Sequence, residues 1–115
     1  MIRPPRPSEI ALLPQIENAA DRRFASVGLP QIIPMPPASV AVLTRARRAG
    51  LLWVAASPLG RPVGFALMAE SAGAAWLDQL SVLDRWQGRG LGRALIERTA
   101  QEARQRGYRA LLLST

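Results

Sequence analysis

Three glycines at alternate positions, Gly88, Gly90 and Gly92, lie in the segment DRWQGRGLGRALIE. The segment runs directly into an apolar pattern with helical spacing, so the glycines lie where a helix begins. The first N–H groups of a helix have no intrahelical acceptor and carry the positive end of the helix dipole. Because glycine has no Cβ, a ligand can approach that backbone closely. With Arg89 and Arg93 beside them, the glycines have the chemistry of an anion-binding loop.

Two known phosphate-binding loops do not fit this spacing. The P-loop contains a lysine, and this chain has none. The dinucleotide-binding sequence G-x-G-x-x-G would need a further glycine at position 93 or 95, where Arg93 and Leu95 stand. A tight strand-to-helix turn without a ligand would explain one glycine. Three glycines beside Gln87 and Arg89 favour ligand binding.

The residue types that the chain lacks exclude several kinds of chemistry. Among its 115 residues there is no cysteine, no histidine and no lysine, so all 15 basic residues are arginine. Disulfides, thiolate nucleophiles, histidine-based zinc sites, Ser-His-Asp catalysis and Schiff-base lysines are therefore excluded. We expect no metal. Chemistry must depend on carboxylates, hydroxyls, amides, arginines and the backbone.

The net charge of +7 indicates an anionic partner. A nucleic-acid-binding surface would need clustered basic residues with interleaved aromatic side chains. Aromatic residues make up only 5% of the chain, and the arginines are spread along it, so nucleic acid is disfavoured. The longest apolar run, LLWVAA, is too short to span a bilayer, and the first residues lack the apolar core of a signal peptide. We expect a cytoplasmic protein without membrane association.

The first half of the chain predicts one short strand and two helices. MIRPPRP can form only a brief strand before its prolines interrupt hydrogen bonding. Ser8 is a suitable N-cap for a first helix over about residues 8–25, where apolar residues recur at helical spacing. The proline-rich segment VGLPQIIPMPPAS is expected to be irregular. Residues 39–49 predict a second helix that Gly50 ends at its C′ position.

The second half of the chain predicts a sheet. LLWVAAS and PVGFALMAE flank the turn PLGR and indicate an antiparallel hairpin, and AAWLDQLSVL indicates a third long strand. A helix from about Gly90 to Arg106 follows, with Glu102 and Arg106 at i,i+4 spacing. Gly107 ends this helix before a last strand in YRALLLST. The order β-α-α-β-β-β-α-β predicts a mixed α/β sheet with a parallel crossover, in one domain over residues 1–115.

The segment LDQLSVLDRWQGRGLGRALIERTAQEARQRGYRALLLST resembles the acetyl-CoA-binding half of the GNAT superfamily of N-acetyltransferases. Residues 87–92 fill that family's pattern [Q/R]-x-x-G-x-[G/A], with an L-x-x-L-x-V strand before them and a helix, RGY and a strand after them. Asp84 stands where proline is frequent in the family. The resemblance extends over essentially the whole chain. It implies the acyl-CoA N-acyltransferase fold and the transfer of an acetyl group to a primary amine by direct attack in a ternary complex.

The resemblance also implies which residues bind the cosubstrate, acetyl-CoA. Backbone amides from Gly88 to Arg93 would hold its pyrophosphate. The backbone of Leu80 and Val82 would pair with the pantetheine arm as a neighbouring strand does. The implied cofactor-binding residues are Leu80, Val82, Gln87, Gly88, Arg89, Gly90, Leu91, Gly92 and Arg93.

Acetyl transfer needs a group that takes a proton from the amine, because an amine of pKa ~10.4 is unprotonated in only about one molecule in two thousand at pH 7. Asp78 is the one carboxylate in the strand before the loop and is the candidate base. Only alternate strand residues face the acceptor, and the sequence leaves open whether Asp78 or its neighbour Gln79, the substrate-side candidate, does so. A solvent-facing Asp78 without a catalytic role is an equal alternative. Family members often use a tyrosine as the acid, but Tyr108 lies beyond the far end of a helix about 24 Å long and is expected to pack.

The superfamily normally continues past LLLST with another helix and two strands. We therefore expect a C-terminally incomplete domain, whose last strand has an apolar edge through which two copies could form a homodimer. The identity of the amine acceptor stays open. Two alternative functions also stay open: a non-catalytic acyl-CoA-binding module with the same fold and, less favoured, a basic nucleic-acid-binding domain.

Overall fold

The computed structural model of the chain describes residues 1–17 and 39–113 and contains a five-stranded mixed sheet. The strands lie side by side in their sequence order. Neighbours are antiparallel except for the last pair, which is parallel. The predicted hairpin and the predicted mixed α/β class are therefore confirmed. The strands are β1 Ile2–Arg3, β2 Leu52–Ala56, β3 Pro62–Ser71, β4 Ala74–Val82 and β5 Leu111–Leu113.

The N-terminal helical segment begins earlier than the sequence predicts. A short 3-10 helix spans Pro7–Leu12, and residues 13–17 continue it as α-helix. The predicted N-cap at Ser8 is wrong: Arg6 is the N-cap, and its backbone N–H donates to the Glu9 carboxylate at 2.8 Å. Proline is favoured at the first position because it has no N–H to satisfy. The remainder of the predicted first helix and the proline-rich segment lie at residues 18–38, outside the described residues, as do residues 114 and 115 of the predicted last strand.

The two other helices form as predicted. Helix α1 spans Val40–Ala49, and the Ser39 hydroxyl accepts the N–H of Val42 at 3.1 Å as its N-cap. Gly50 ends α1 with a φ of 75°, a left-handed conformation that favours glycine. Helix α2 spans Leu91–Gln105.

The sheet has an apolar layer on each face. The 3-10 helix and α1 cover one face, where Leu43 packs with Val54 and Phe65 of the sheet. Helix α2 covers the other face, where Leu95 packs with Trp53 and Met68. Because α2 connects the parallel strands β4 and β5, its N-terminus lies beside the carboxyl end of β4. That is where the glycines are.

A β-bulge interrupts the pairing of β3 with β4. Leu67 lies opposite Gln79 and Met68 lies opposite Leu77, so Asp78 has no partner on β3. A bulge of this kind bends its strand and increases its twist. Side chains of β4 that face α2 are otherwise two residues apart. Across the bulge they are three residues apart, from Leu77 to Leu80.

The pairing of β4 with β5 is short. Only Ala75 to Leu77 pair with Leu111 to Leu113, so within the described residues β4 has no neighbour on this side from Asp78 onward. Leu112 and Leu113 at the outer edge are 40% and 61% exposed. Dimerisation through this edge stays a prediction.

Candidate active site at the glycine loop

The connection from β4 to α2 is shaped by its glycines. A 3-10 turn over Asp84–Trp86 leads from β4 into the loop. Gly88 and Gly90 have φ values of 77° and 80°, a region that residues with a Cβ rarely adopt. A Cβ placed on Gly88, Gly90 or Gly92 would meet no atom of the described residues within 4 Å, apart from the adjoining residues and the backbone of its own helix. The backbone is therefore open to a ligand, and Gly88 and Gly90 are also required by the conformation of the loop.

The N-terminus of α2 carries unused hydrogen-bond donors. Its N-cap, Gly90, has no side chain to accept them, and the first turn contains no acidic residue. The first hydrogen bond of the helix runs from the N–H of Ala94 to the carbonyl of Gly90 at 3.0 Å. In the part of the chain that the structure describes, the N–H groups of residues 88–93 have no acceptor. The positive end of the dipole is thus left for an anion.

Gln87 connects the loop to the strand. Its side-chain Nε2 donates to the carbonyl of Val82 at 3.0 Å. This bond satisfies the last carbonyl of β4 and fixes the point at which the loop leaves the sheet. The side-chain amide of Gln87 therefore orients the loop. Gln87 also lines the cleft that is described next.

A cleft of about 370 Å³ runs from the glycine loop along β4. All but one of the residues predicted to bind the cofactor line it, and the exception is Arg89. The Arg89 guanidinium lies over the indole of Trp86, 4.8 Å from the ring centroid, and borders a neighbouring cleft instead. The residues lining the loop cleft are Leu80, Val82, Gln87, Gly88, Gly90, Leu91, Gly92 and Arg93.

The two candidates for the acceptor side do not line this cleft. Asp78 is the exposed bulge residue, and within the described residues its carboxylate has no hydrogen bond or ion pair. Gln79 is partly buried on the opposite face of β4, where its Nε2 donates to the Ser81 hydroxyl at 3.1 Å. The bulge therefore separates the two neighbours, and the structure does not bring them together with the loop.

Two features of the site were missed at the level of sequence. Ser81 is buried, with 4% of its surface exposed, and orients Gln79; two-residue spacing along a strand is the signal that pairs them. The contact of Arg89 with Trp86 has no comparable signal, because a loop has no fixed period. Within residues 1–17 and 39–113, no group of three or more Asp or Glu side chains is placed to hold a metal ion.

The sequence of residues 16–115 matches the model of the family described as Acetyltransferase (GNAT) family. The chain belongs to the GNAT acetyltransferase family. This confirms the resemblance drawn from the glycine motif and its flanking elements. No helix in the described part of this GNAT protein is both long and apolar enough to cross a membrane.

Solved structures of the family share the fold of this GNAT protein. A GNAT family acetyltransferase from Brucella melitensis in complex with acetyl-CoA has a TM-score of 0.72 at 25% identity, with 98% of this chain and 73% of that chain covered. Rv2747 from Mycobacterium tuberculosis, in complex with CoA and NLQ, has a TM-score of 0.77 at 19% identity, with 98% and 63% covered. The ribosomal-protein-S18-alanine N-acetyltransferase from Escherichia coli has a TM-score of 0.70 at 23% identity, with 98% and 64% covered. This chain spans less than two thirds of the length of the last two proteins.

Proposed function

We propose that this GNAT protein is an acetyl-CoA-dependent N-acetyltransferase that acetylates a primary amine in a ternary complex. One observation carries the proposal: the N–H groups of residues 88–93 have no acceptor among the described residues, and all of these residues except Arg89 line a cleft that continues along β4. A pyrophosphate fits such donors because its oxygens accept several N–H bonds at once and its charge complements the helix dipole. Family membership supports acetyl transfer as the reaction.

Different residues of the cleft bind different parts of the cofactor. The amides from Gly88 to Arg93 hold the phosphates, and the exposed guanidinium of Arg93 adds a charge-assisted bond. The backbone of Leu80 and Val82 pairs with the pantetheine arm on the side of β4 that β5 leaves open beyond Leu77. Gln87 keeps the loop attached to the strand through its bond to Val82.

When bound, acetyl-CoA supplies an acetyl group activated as a thioester. The chain must orient the amine and take a proton from it, since an ammonium group has no lone pair for attack. Asp78 is the proposed base. An exposed carboxylate can act directly or through one water, and the bulge frees Asp78 from pairing with β3. Because Gln79 lies on the opposite face of β4, it is the alternative acceptor-side residue, for an amine that approaches from that face.

One observation favours a second candidate function, an acyl-CoA-binding module without turnover. Within residues 1–17 and 39–113, no acidic residue lines the loop cleft, and Asp78 lies outside it. Such a module would bind the cofactor as tightly and would leave amines unmodified. Binding and turnover therefore need separate tests.

The binding test is a calorimetric titration of acetyl-CoA into the wild-type chain, Gly90→Asp and Gly73→Asp. Gly73 is a matched control because its φ of 74° resembles the 80° of Gly90, and a Cβ at either position meets no atom within 4 Å. We expect micromolar binding by the wild type and a loss of about a hundredfold, or about 2.7 kcal/mol, in Gly90→Asp, because the new carboxylate would face the phosphates. Gly73→Asp should bind as the wild type does. Equal losses in the two variants, or no binding by a folded wild-type chain, would refute the proposed cofactor site.

The turnover test measures CoA release with a panel of primary amines. Asp78→Asn should keep cofactor affinity and lower kcat by about a hundredfold, because general-base assistance contributes about that much or more. Glu70→Gln removes an exposed carboxylate of β3 that contacts Arg106 and Tyr108, away from the loop cleft, and is the control. Unchanged turnover in Asp78→Asn would remove Asp78 from the mechanism. Cofactor binding without release of CoA for any amine would favour the non-catalytic module.

A further inference from the structure

A second cleft, of about 500 Å³, lies on the other side of the glycine loop. Leu91 lines both clefts and forms part of the wall between them. Ala56 and Pro58 give the second cleft an apolar floor, while Arg6 and Arg89 contribute its polar groups. A small number of polar groups on an apolar surface, in a volume of a few hundred cubic ångströms, is typical of small-molecule sites.

The charges around this second cleft are unbalanced. Among the described residues, three arginines line it, Arg3, Arg6 and Arg89, and none of the lining residues is acidic. Arg3 is neutralised by Glu9, whose two oxygens it contacts at 2.8 and 2.9 Å. This bond lowers the pKa of Glu9, so the pair remains ionised near neutral pH. Glu9 also interacts electrostatically with Arg6. Among the described residues, the three arginines set against the single charge of Glu9 leave this cleft a net charge of +2, and Arg89 has no ion pair there.

Arg6 is held through its backbone and Arg89 through its side chain. The backbone N–H of Arg6 donates to Glu9, which fixes the start of the 3-10 helix. The guanidinium carbon of Arg89 lies over the indole ring of Trp86, 4.8 Å from the ring centroid. A cation–π contact of this kind uses no N–H hydrogen bond, so the N–H groups of Arg89 stay available for a ligand. The family motif places Arg89 in the phosphate loop, yet Arg89 lines the second cleft.

We propose that the second cleft binds a phosphate or carboxylate carried by a small organic molecule, with Arg6 and Arg89 as its ligands. A guanidinium matches the spacing of two oxygens on either anion and remains charged at every physiological pH. Two sources offer this chemistry. One is the ribose 3′-phosphate of CoA, reaching across the wall from the loop, and the other is a separate anionic metabolite.

The first experiment uses adenosine 3′,5′-bisphosphate as the probe and the indole N–H resonance of Trp86 in ¹H–¹⁵N spectra as the reporter. Titrations are run without cofactor and at saturating acetyl-CoA. We expect a saturable shift that Arg6→Gln and Arg89→Gln each weaken about tenfold, because each removes one charge-assisted contact. Arg104→Gln removes the same charge from an exposed position on α2 outside the cleft and should bind within about twofold of wild type.

The second experiment distinguishes the two sources by comparing CoA with dephospho-CoA, which lacks the 3′-phosphate. If the cofactor supplies the anion, CoA binds about tenfold more tightly than dephospho-CoA, Arg6→Gln removes this preference, and acetyl-CoA blocks the probe. If a separate metabolite is the ligand, both cofactors bind equally and the probe still binds the loaded protein. A probe that causes no saturable shift in either state, together with equal binding of both cofactors, overturns the proposal. Equal losses in Arg6→Gln and Arg104→Gln also overturn it, because they would show only a general effect of charge.

Discussion

The two ends of α2 are built in opposite ways. At the N-terminus, Gly90 provides no side-chain cap, the first turn has no acidic residue, and the amides lie open. Just beyond the C-terminus, the Arg106 guanidinium donates to the carboxylates of Glu102 at 2.8 Å and Glu70 at 3.0 Å, and to the carbonyl of Ala49 at 2.6 Å. The Tyr108 hydroxyl donates to the other oxygen of Glu70 at 2.6 Å.

The difference between the ends separates stability from function within one helix. Arg106 joins the end of α2 to β3 through Glu70 and to the end of α1 through Ala49, and its positive charge suits both helix C-termini. The fixed end holds the axis of α2 in place. The open end can therefore present its amides in a constant geometry before any anion arrives, which reduces the ordering cost of binding.

The largest effect on folding is expected at the fixed end. Arg106→Ala removes three hydrogen bonds and should lower the free energy of unfolding by about 2 kcal/mol, a value that allows for the partial exposure of the ion pairs. The acetyl-CoA Kd should stay within about twofold. Chemical denaturation and calorimetry measure the two quantities. Arg104→Ala, on an exposed site of the same helix, is the control and should change unfolding by less than about 0.5 kcal/mol. A large loss of affinity in Arg106→Ala would mean that the ends are coupled more strongly than we infer.

At the open end we expect a substitution that raises the free energy of unfolding and weakens cofactor binding. Gly92 lies inside the first turn of α2 with space for a Cβ. Gly92→Ala should stabilise the fold by about 0.5–1 kcal/mol, because alanine has the higher helix propensity. The same methyl group should weaken acetyl-CoA binding about tenfold by narrowing the approach to the amides. Gln101→Ala, at an exposed position later in the helix, should leave affinity unchanged. An unaltered Kd in Gly92→Ala would show that the cofactor does not approach this turn closely.

The smallest effect is expected for Tyr108→Phe, which removes one exposed hydrogen bond and should lower the free energy of unfolding only slightly. The bond to Glu70 raises the pKa of Tyr108 above its ordinary value of 10.0. Its contribution is therefore full below about pH 10 and is lost as pH rises through the folded-state pKa. Wild-type stability should fall more steeply than that of Tyr108→Phe in this alkaline range. Parallel pH profiles for the two proteins would exclude a contribution from this bond.

Local signals were sufficient to predict most of the fold. Ser39, Gly50 and the turn PLGR act on their immediate neighbours, and each acts in the structure as the sequence indicates. Ser8 failed as an N-cap because two cap signals compete there: Pro7 sets the backbone one residue earlier, and Glu9 accepts the N–H of Arg6. Choosing between such signals requires the energies of both caps, which the sequence pattern does not contain.

The part of the site that consists of backbone N–H groups could be predicted from the sequence. Glycine spacing located the donors of residues 88–93, whose position follows from the start of one helix. Side-chain placement depended on distant partners. The i,i+4 spacing indicated the contact of Arg106 with Glu102, but the contacts with Glu70 and Ala49 arise only when α1, β3 and α2 pack together. The bulge at Asp78 likewise follows from the register against β3, which no single strand encodes.

Asp78 can also be regarded as an insertion in an otherwise regular strand. Deleting it would leave Leu77 opposite Met68 and Gln79 opposite Leu67, the partners that these residues already have. Every other side chain of β4 would keep its face, so the chain should tolerate this shortening by one residue. The deletion would nevertheless remove the local twist that a bulge adds to its strand. Compared with Asp78→Asn, it would show whether the extra residue serves the protein through its carboxylate or through the length that it adds.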